Sequence, residues 1–110
     1  MKRLKPEEAF LQQVLDLAKI HGWRRAHFRP AETAKGYRTA VQADGKGFPD
    51  VFLVRRKTKS KLIAELKVPP NECTPEQKEW LVDCEAVGIP AFTWTPADWE
   101  EIKRVLEHGP

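Results

Sequence analysis

Two short runs in this chain carry charge where strands are normally apolar. Gly47-Phe48-Pro49-Asp50-Val51-Phe52-Leu53-Val54 is followed, after a basic turn, by Leu62-Ile63-Ala64-Glu65-Leu66-Lys67. Both read as buried strands, yet the first opens on Asp50 and the second carries Glu65 and Lys67. A carboxylate or ammonium group in such a setting is costly unless it is paired or bound to a metal. Pro-Asp followed fifteen residues later by Glu-x-Lys is the pattern of a metal-dependent phosphodiesterase site.

Strand geometry supports one shared site. Side chains alternate faces, so Ile63, Glu65 and Lys67 point one way and Leu62, Ala64 and Leu66 the other. A hairpin through Arg55 to Lys61 would pair the two strands antiparallel. Asp50, at the start of one strand, then stands beside the end of the other. A buried ion pair without chemistry needs only two of these groups, and here three arrive together.

The first segment offers a fourth group. Pro6 to Ile20 reads as a helix, with proline in its first turn and Gly22 as a stop. Phe10, Leu11, Val14, Leu17 and Ala18 recur at helical spacing and form one apolar stripe. At about 100° per residue, Glu7 falls near the centre of that stripe and Glu8 roughly 120° away from it, towards solvent. Glu7 is therefore expected to face the sheet. A first-turn acid also favours the helix dipole, a role that suits Glu8 better than Glu7.

These residues resemble the VRR-NUC domains, a branch of the PD-(D/E)xK nuclease superfamily, in their stand-alone phage and bacterial form. The resemblance spans nearly the whole chain. It takes in Glu7, Gly22-Trp23, Gly47-Phe48-Pro49-Asp50, Glu65-Leu66-Lys67 and Thr74-Pro75-Glu76-Gln77-Lys78-Glu79-Trp80. A lone Asp…Glu-x-Lys is weak, but Gly-Phe-Pro-Asp, Glu-Leu-Lys and Pro-Glu-Gln in this order are strong together. Many relatives have Ser where Thr74 stands, and both residues are good helix caps. The resemblance implies a restriction-endonuclease-like fold and a divalent-metal DNA nuclease. It implies catalytic roles for Asp50, Glu65, Lys67 and Gln77, with Glu7, Asp50, Glu65 and the carbonyl of Leu66 as metal ligands.

Composition fits one domain. A chain of 110 residues can bury one modest core. Four Trp, five Phe and 41% apolar residues argue for a folded protein. No run approaches the ~20 apolar residues of a membrane span. The basic start, Met1-Lys2-Arg3-Leu4-Lys5, is followed by no apolar stretch, unlike a signal peptide. Cys73 and Cys84 lie too far apart along one expected helix to form a disulfide within it. A reducing, cytoplasmic setting in a bacterial or phage-infected cell is expected.

Net charge is +3, which alone does not demonstrate nucleic-acid binding. Its distribution says more. Arg55-Arg56-Lys57-Thr58-Lys59-Ser60-Lys61 places five cations in seven residues. Arg24, Arg25 and Arg29 form a second cluster, Lys35 and Arg38 a third. Such runs serve either as solvated turns or as phosphate contacts, which carry affinity without sequence information. The nucleic-acid-binding expectation falls on Arg29, Lys35, Arg38, Arg55, Arg56, Lys57 and Lys78. Lys78 could equally face solvent.

The remaining elements follow from local signals. A strand is expected over Trp23–Arg29. The stretch Pro30–Lys46 reads as a loop, longer than most connections and so functional or mobile. After the two motif strands, Thr74 caps a helix running to about Val87, with Pro75 first and Gln77 three residues after the cap. Gln77 thus has a capping role open to it beside the catalytic one. Ile89–Trp94 reads as a last strand. Thr95-Pro96-Ala97-Asp98 repeats the capping logic and opens a helix to about His108. The order is αβββαβα, an α/β domain with a mixed sheet flanked by helices.

Other catalytic classes are poorly supported. His21, His27 and His108 form no His-x-His or His-Glu-x-x-His array, and His27 reads as a plain strand residue. No Gly-x-Ser-x-Gly or phosphate-binding Gly-x-x-x-x-Gly-Lys occurs. Carboxylate oxygens favour hard cations, Mg²⁺ or Mn²⁺. Such an ion lowers the pKa of a water and neutralises charge growing on phosphate, while Lys67 orients that water or stabilises the pentacoordinate phosphorus. The expected function is an endonuclease for branched or structured DNA, such as a four-way junction. A junction has two symmetric scissile positions, so a homodimer is expected, with some of Trp80, Phe92, Trp94 and Trp99 at its interface or in the core. The alternative is a catalytically silent DNA-binding or assembly module with a nuclease fold.

Overall fold

The computed structural model describes residues 4–28, 31–33, 36–38 and 43–110. Helix α1 spans Pro6–Ile20, and strand β1 spans Arg24–His27. Two short strands follow, β2 (Ala31–Thr33) and β3 (Gly36–Arg38), then β4 (Val51–Arg55) and β5 (Ser60–Leu66). Helix α2 (Pro75–Ala86), strand β6 (Ala91–Trp94) and helix α3 (Trp99–His108) complete the chain.

Among the described residues, four strands form one mixed sheet in the order β1-β4-β5-β6. β4 pairs antiparallel with both β1 and β5, and β6 lies parallel to β5. A parallel neighbour requires a crossover, and α2 supplies it. The expected αβββαβα order therefore describes the core. The stretch expected to be a loop differs. It contains β2 and β3, which pair antiparallel as a separate ribbon from Ala31↔Arg38 to Thr33↔Gly36. Strands of three residues carry too little alternation to be distinguished from a loop by pattern alone.

The hydrophobic core lies between the sheet and α1 and α3. Val51, Leu53, Leu62 and Ala64 from β4 and β5 pack with Phe10, Val14 and Ala18 of α1 and Ile102, Val105 and Leu106 of α3. Trp94 is fully buried and stacks on Phe92, with ring centroids 4.9 Å apart. Phe92 and Trp99 pack against the same cluster. Of the four aromatics weighed for a dimer interface, Trp94 is a core residue, and Phe92 and Trp99 are half-buried against the core.

Arg55 has an unexpected place. It sits in the interior, 7% exposed. Its Nη1 donates to the carbonyls of Leu106 at 2.9 Å and His21 at 3.1 Å. Its Nε donates to Thr58 Oγ1 at 2.8 Å, and its guanidinium lies 4.6 Å from the Trp23 ring centroid. One cation thus satisfies carbonyls at the C-terminal ends of α1 and α3, where helices leave acceptors unpaired and cations are favoured. The expected phosphate contact is corrected here, because the guanidinium is used up inside the protein.

Candidate active site

The turn before β4 delivers Asp50. Gly47 has φ +85°, and a Cβ there would stand 2.7 Å from the Glu76 backbone carbon and 2.8 Å from the Gln77 nitrogen. Only glycine allows this turn to press on the first turn of α2. Phe48 then enters an aromatic row. Its ring meets Phe28 edge-on at 5.2 Å and Trp80 at 5.0 Å. The Trp80 indole N–H donates to the Asp44 carbonyl at 2.9 Å, tying the row back to the turn.

Asp50 is held on several sides. Its carbonyl accepts from the Phe28 N–H at 2.9 Å. Its own N–H donates to Glu65 Oε1 at 3.2 Å, and its Oδ2 accepts from the Leu66 N–H at 2.7 Å. These bonds continue the β4–β5 register, in which Val51 faces Ala64. Lys67 Nζ lies 3.2 Å from Glu65 Oε2. The three charged groups expected to converge at one sheet end do so.

Glu65 is 2% exposed. Burial pushes its pKa up from 4.5 to about 7, the Asp50 charge adds to the rise, and Lys67 opposes it. The Lys67 ammonium thus lowers the Glu65 pKa less than burial and the Asp50 charge raise it. Adjacent carboxylates offering oxygen donors are the chemistry of a site for a hard cation. Among the described residues, no three His, Cys, Asp or Glu side chains stand close enough to form an all-side-chain cage. Two carboxylates and the backbone carbonyl of Leu66 suit an ion such as Mg²⁺ that keeps several of its waters.

The carboxylates open on a cavity of about 610 Å³. Asp50, Glu65, Lys67 and Gln77 line it, joined by Glu7 and Glu8 from α1. The α1 prediction needs adjustment. Glu7 is exposed and Glu8 is half-buried, the reverse of the expected order. Glu7 keeps the angular position of the apolar stripe, but it stands in the first turn, where that direction meets the cavity instead of the sheet. Its Oε1 accepts from Asn71 Nδ2 at 3.2 Å.

Gln77 holds the expected capping box. Its N–H donates to Thr74 Oγ1 at 3.2 Å and its Oε1 accepts from the Thr74 N–H at 2.8 Å. What remains for the cavity is its Nε2 amide, a donor group. Lys78 is exposed on α2 and does not line the cavity. Arg56 and Lys57 are exposed on the turn between β4 and β5. That turn is at the far end of the hairpin, about 20 Å from Asp50 at ~3.3 Å per residue. Arg29 and Lys35 lie outside the described residues. Arg38 is placed by its backbone on β3, and its side chain lies outside the description.

Residues absent from the sequence expectation also enter the cavity wall. Lys5, Glu8, Phe28 and Asn71 line it. Asn71 and Glu7 are 64 positions apart, and no local signal joins them. Phe28 adjoins a strand whose described side chains are all exposed, so periodicity could not mark it.

A family model, that of the VRR-NUC domain, matches residues 7–96. The chain belongs to the VRR-NUC domain family. The match starts at Glu7 and encloses Asp50, Glu65, Lys67 and Gln77. Neither a curated protein nor a solved structure matches the chain. A VRR-NUC domain implies a nuclease-type, DNA-processing function, and the mixed sheet flanked by helices is consistent with a restriction-endonuclease-like fold. No helix among the described residues is long and apolar enough to cross a membrane.

Proposed function

We propose that this VRR-NUC domain is a Mg²⁺- or Mn²⁺-dependent endonuclease that hydrolyses phosphodiester bonds in branched or structured DNA. The observation that carries the reading is the meeting of Asp50, Glu65 and Lys67 at the wall of one cavity. Asp50, Glu65 and the Leu66 carbonyl would hold the cation, with Glu7 within the same cavity. When bound, the cation supplies a nucleophilic water at neutral pH and neutralises charge growing on the phosphate.

The protein's own groups supply orientation and charge. Glu65 Oε2 holds the Lys67 ammonium in place, so this cation meets the phosphate without reorganisation. The Gln77 Nε2 amide can hydrogen-bond the attacking water or a phosphate oxygen. Lys5 adds a positive charge at the cavity wall. A two-fold dimer would present two such sites to the two symmetric cuts of a four-way junction. A cytoplasmic setting agrees with Cys73 and Cys84, both free thiols.

The test is cleavage of flap, four-way-junction and plain duplex substrates, with Mg²⁺, Mn²⁺ or EDTA. Cutting that needs metal and is lost in a folded Lys67→Ala protein is the expected result. Full activity in Lys67→Ala would refute the assignment. Calorimetric titration with Mn²⁺ separates the silent-module alternative, since absence of heat that depends on Asp50 favours it. Paired symmetric cuts by a protein that scatters light as a dimer support junction resolution. A monomer making single cuts removes that part alone.

A further inference from the structure

Phe28 is 46% exposed. Isolated exposed apolar residues are ordinary, and Ile20, Val82 and Val87 are more exposed still. Phe28 differs from them in two respects. It lines the cavity that holds Asp50, Glu65 and Lys67. Its ring also packs in a T-shaped pair with that of Phe48, centroids 5.2 Å apart, and Phe48 in turn meets Trp80 at 5.0 Å. Its distance from the site is set by the backbone bond from its N–H to the Asp50 carbonyl, 2.9 Å. The chain thus keeps a pre-oriented aromatic surface one residue pairing away from the carboxylates.

An aromatic surface beside a phosphodiesterase site has a natural ligand in a nucleobase. Every base has a π-face, and stacking on an aromatic side chain is strong and tolerant of sequence. Bases inside a duplex are already stacked on one another and cannot use it. We propose that Phe28 stacks on an unpaired nucleobase next to the scissile phosphate, so that the site selects DNA with a splayed or single-stranded nucleotide at the cut. This rests on the nuclease reading and narrows its substrate class. Lys5 and Lys67, in the same cavity wall, would take the adjoining phosphates.

Binding measured in EDTA, by fluorescence anisotropy, tests the proposal without cleavage. The probes are a labelled duplex and the same duplex carrying a single-stranded flap. Phe28→Ala is expected to weaken flap binding roughly five- to 150-fold, the range of one base–aromatic stack, and duplex binding much less. Phe28→Trp should restore flap binding, and Phe28→Leu should not, because it replaces bulk without a π-face. Equal losses on both probes, or Phe28→Leu matching the unchanged protein, would overturn the stacking role and leave the nuclease reading standing. No binding of the flap probe by the unchanged protein would likewise overturn the stacking role, and the cleavage assay decides the nuclease reading separately. Thermal melting of each variant confirms that the aromatic row still folds.

Discussion

The Asp50 backbone N–H donates to Glu65 Oε1 at 3.2 Å, across the open end of the β4–β5 pair. Each acid therefore helps to position the other. Glu65 is oriented by the Asp50 main chain and the Lys67 ammonium, and the Asp50 side chain by the Leu66 N–H. These backbone-to-side-chain bonds lie just past the last pair of the β4–β5 ladder, Val51↔Ala64, so the end of the sheet sets the placement of both acids.

Lys67 is held by a carboxylate and faces the cavity, so its removal should affect chemistry more than folding. Lys67→Ala is expected to lower the cleavage rate about a hundred-fold or more, the usual effect of losing one preorganised electrostatic group. Single-turnover cleavage at saturating metal, with circular dichroism as a folding control, measures this. A loss below about three-fold would contradict the role, given that a single hydrogen bond is commonly worth ~1 kcal/mol.

Glu65 links pH to stability. Its pKa is about 7 in the folded protein and 4.5 ordinarily. Between those values the unfolded chain holds fewer protons than the native one, so stability falls as pH rises. The contribution is fully present below pH 4.5 and lost by pH 7, with an upper size of about 3 kcal/mol. Urea titrations in EDTA should show this loss in the unchanged protein. Glu65→Gln should lack it, and parallel curves for the two proteins would count against the burial effect.

Gly47→Ala should be disruptive although the residue carries no chemistry. Its positive φ and the 2.7 Å approach to Glu76 together predict about 2–4 kcal/mol of destabilisation. Displacement of the turn should also weaken Mn²⁺ binding through Asp50. Urea midpoints and calorimetry would read both effects, and a neutral substitution would show that the turn can move away from α2.

Arg55 and its neighbours should separate by role. Arg55→Ala leaves the Leu106 and His21 carbonyls without their cation and should cost about 3 kcal/mol or more. Arg56→Ala and Lys57→Ala, on the exposed turn, should each change stability by less than ~0.5 kcal/mol. Chemical denaturation decides it, and equal effects at the three positions would refute the buried role of Arg55.

The two duties of Gln77 can be parted by substitution. Gln77→Glu retains an oxygen for the capping box but removes the Nε2 donor, so stability should hold while cleavage falls roughly ten-fold, about one hydrogen bond. Thr74→Ala should do the reverse, costing ~1 kcal/mol of stability with little change in chemistry. Rate and melting temperature measured on both variants give the comparison. Unchanged cleavage in Gln77→Glu would leave Gln77 as a cap alone.

Much of this protein was legible in its sequence because the deciding interactions are local. The 3.6-residue stripe of α1, the period-two runs of β4 and β5 and the capping box at Thr74 each act within a few residues, and each element lies close to its expected place. Alternation along β5 already put Glu65 and Lys67 on one face, and a hairpin was enough to bring Asp50 beside them. What depended on the tertiary structure involves groups far apart in the chain. Arg55 carries the same charge as Arg56 and Lys57, and only the arrival of two helix C-termini draws it inside. The first turn of α1 meets the cavity, whose wall includes both Glu7 and Glu8, and a helical wheel does not contain that. The row from Phe28 through Phe48 to Trp80 joins three separate segments of the chain by ring contacts. Side-chain periodicity reports which way a residue points within its own element, and three-dimensional packing decides what it meets there.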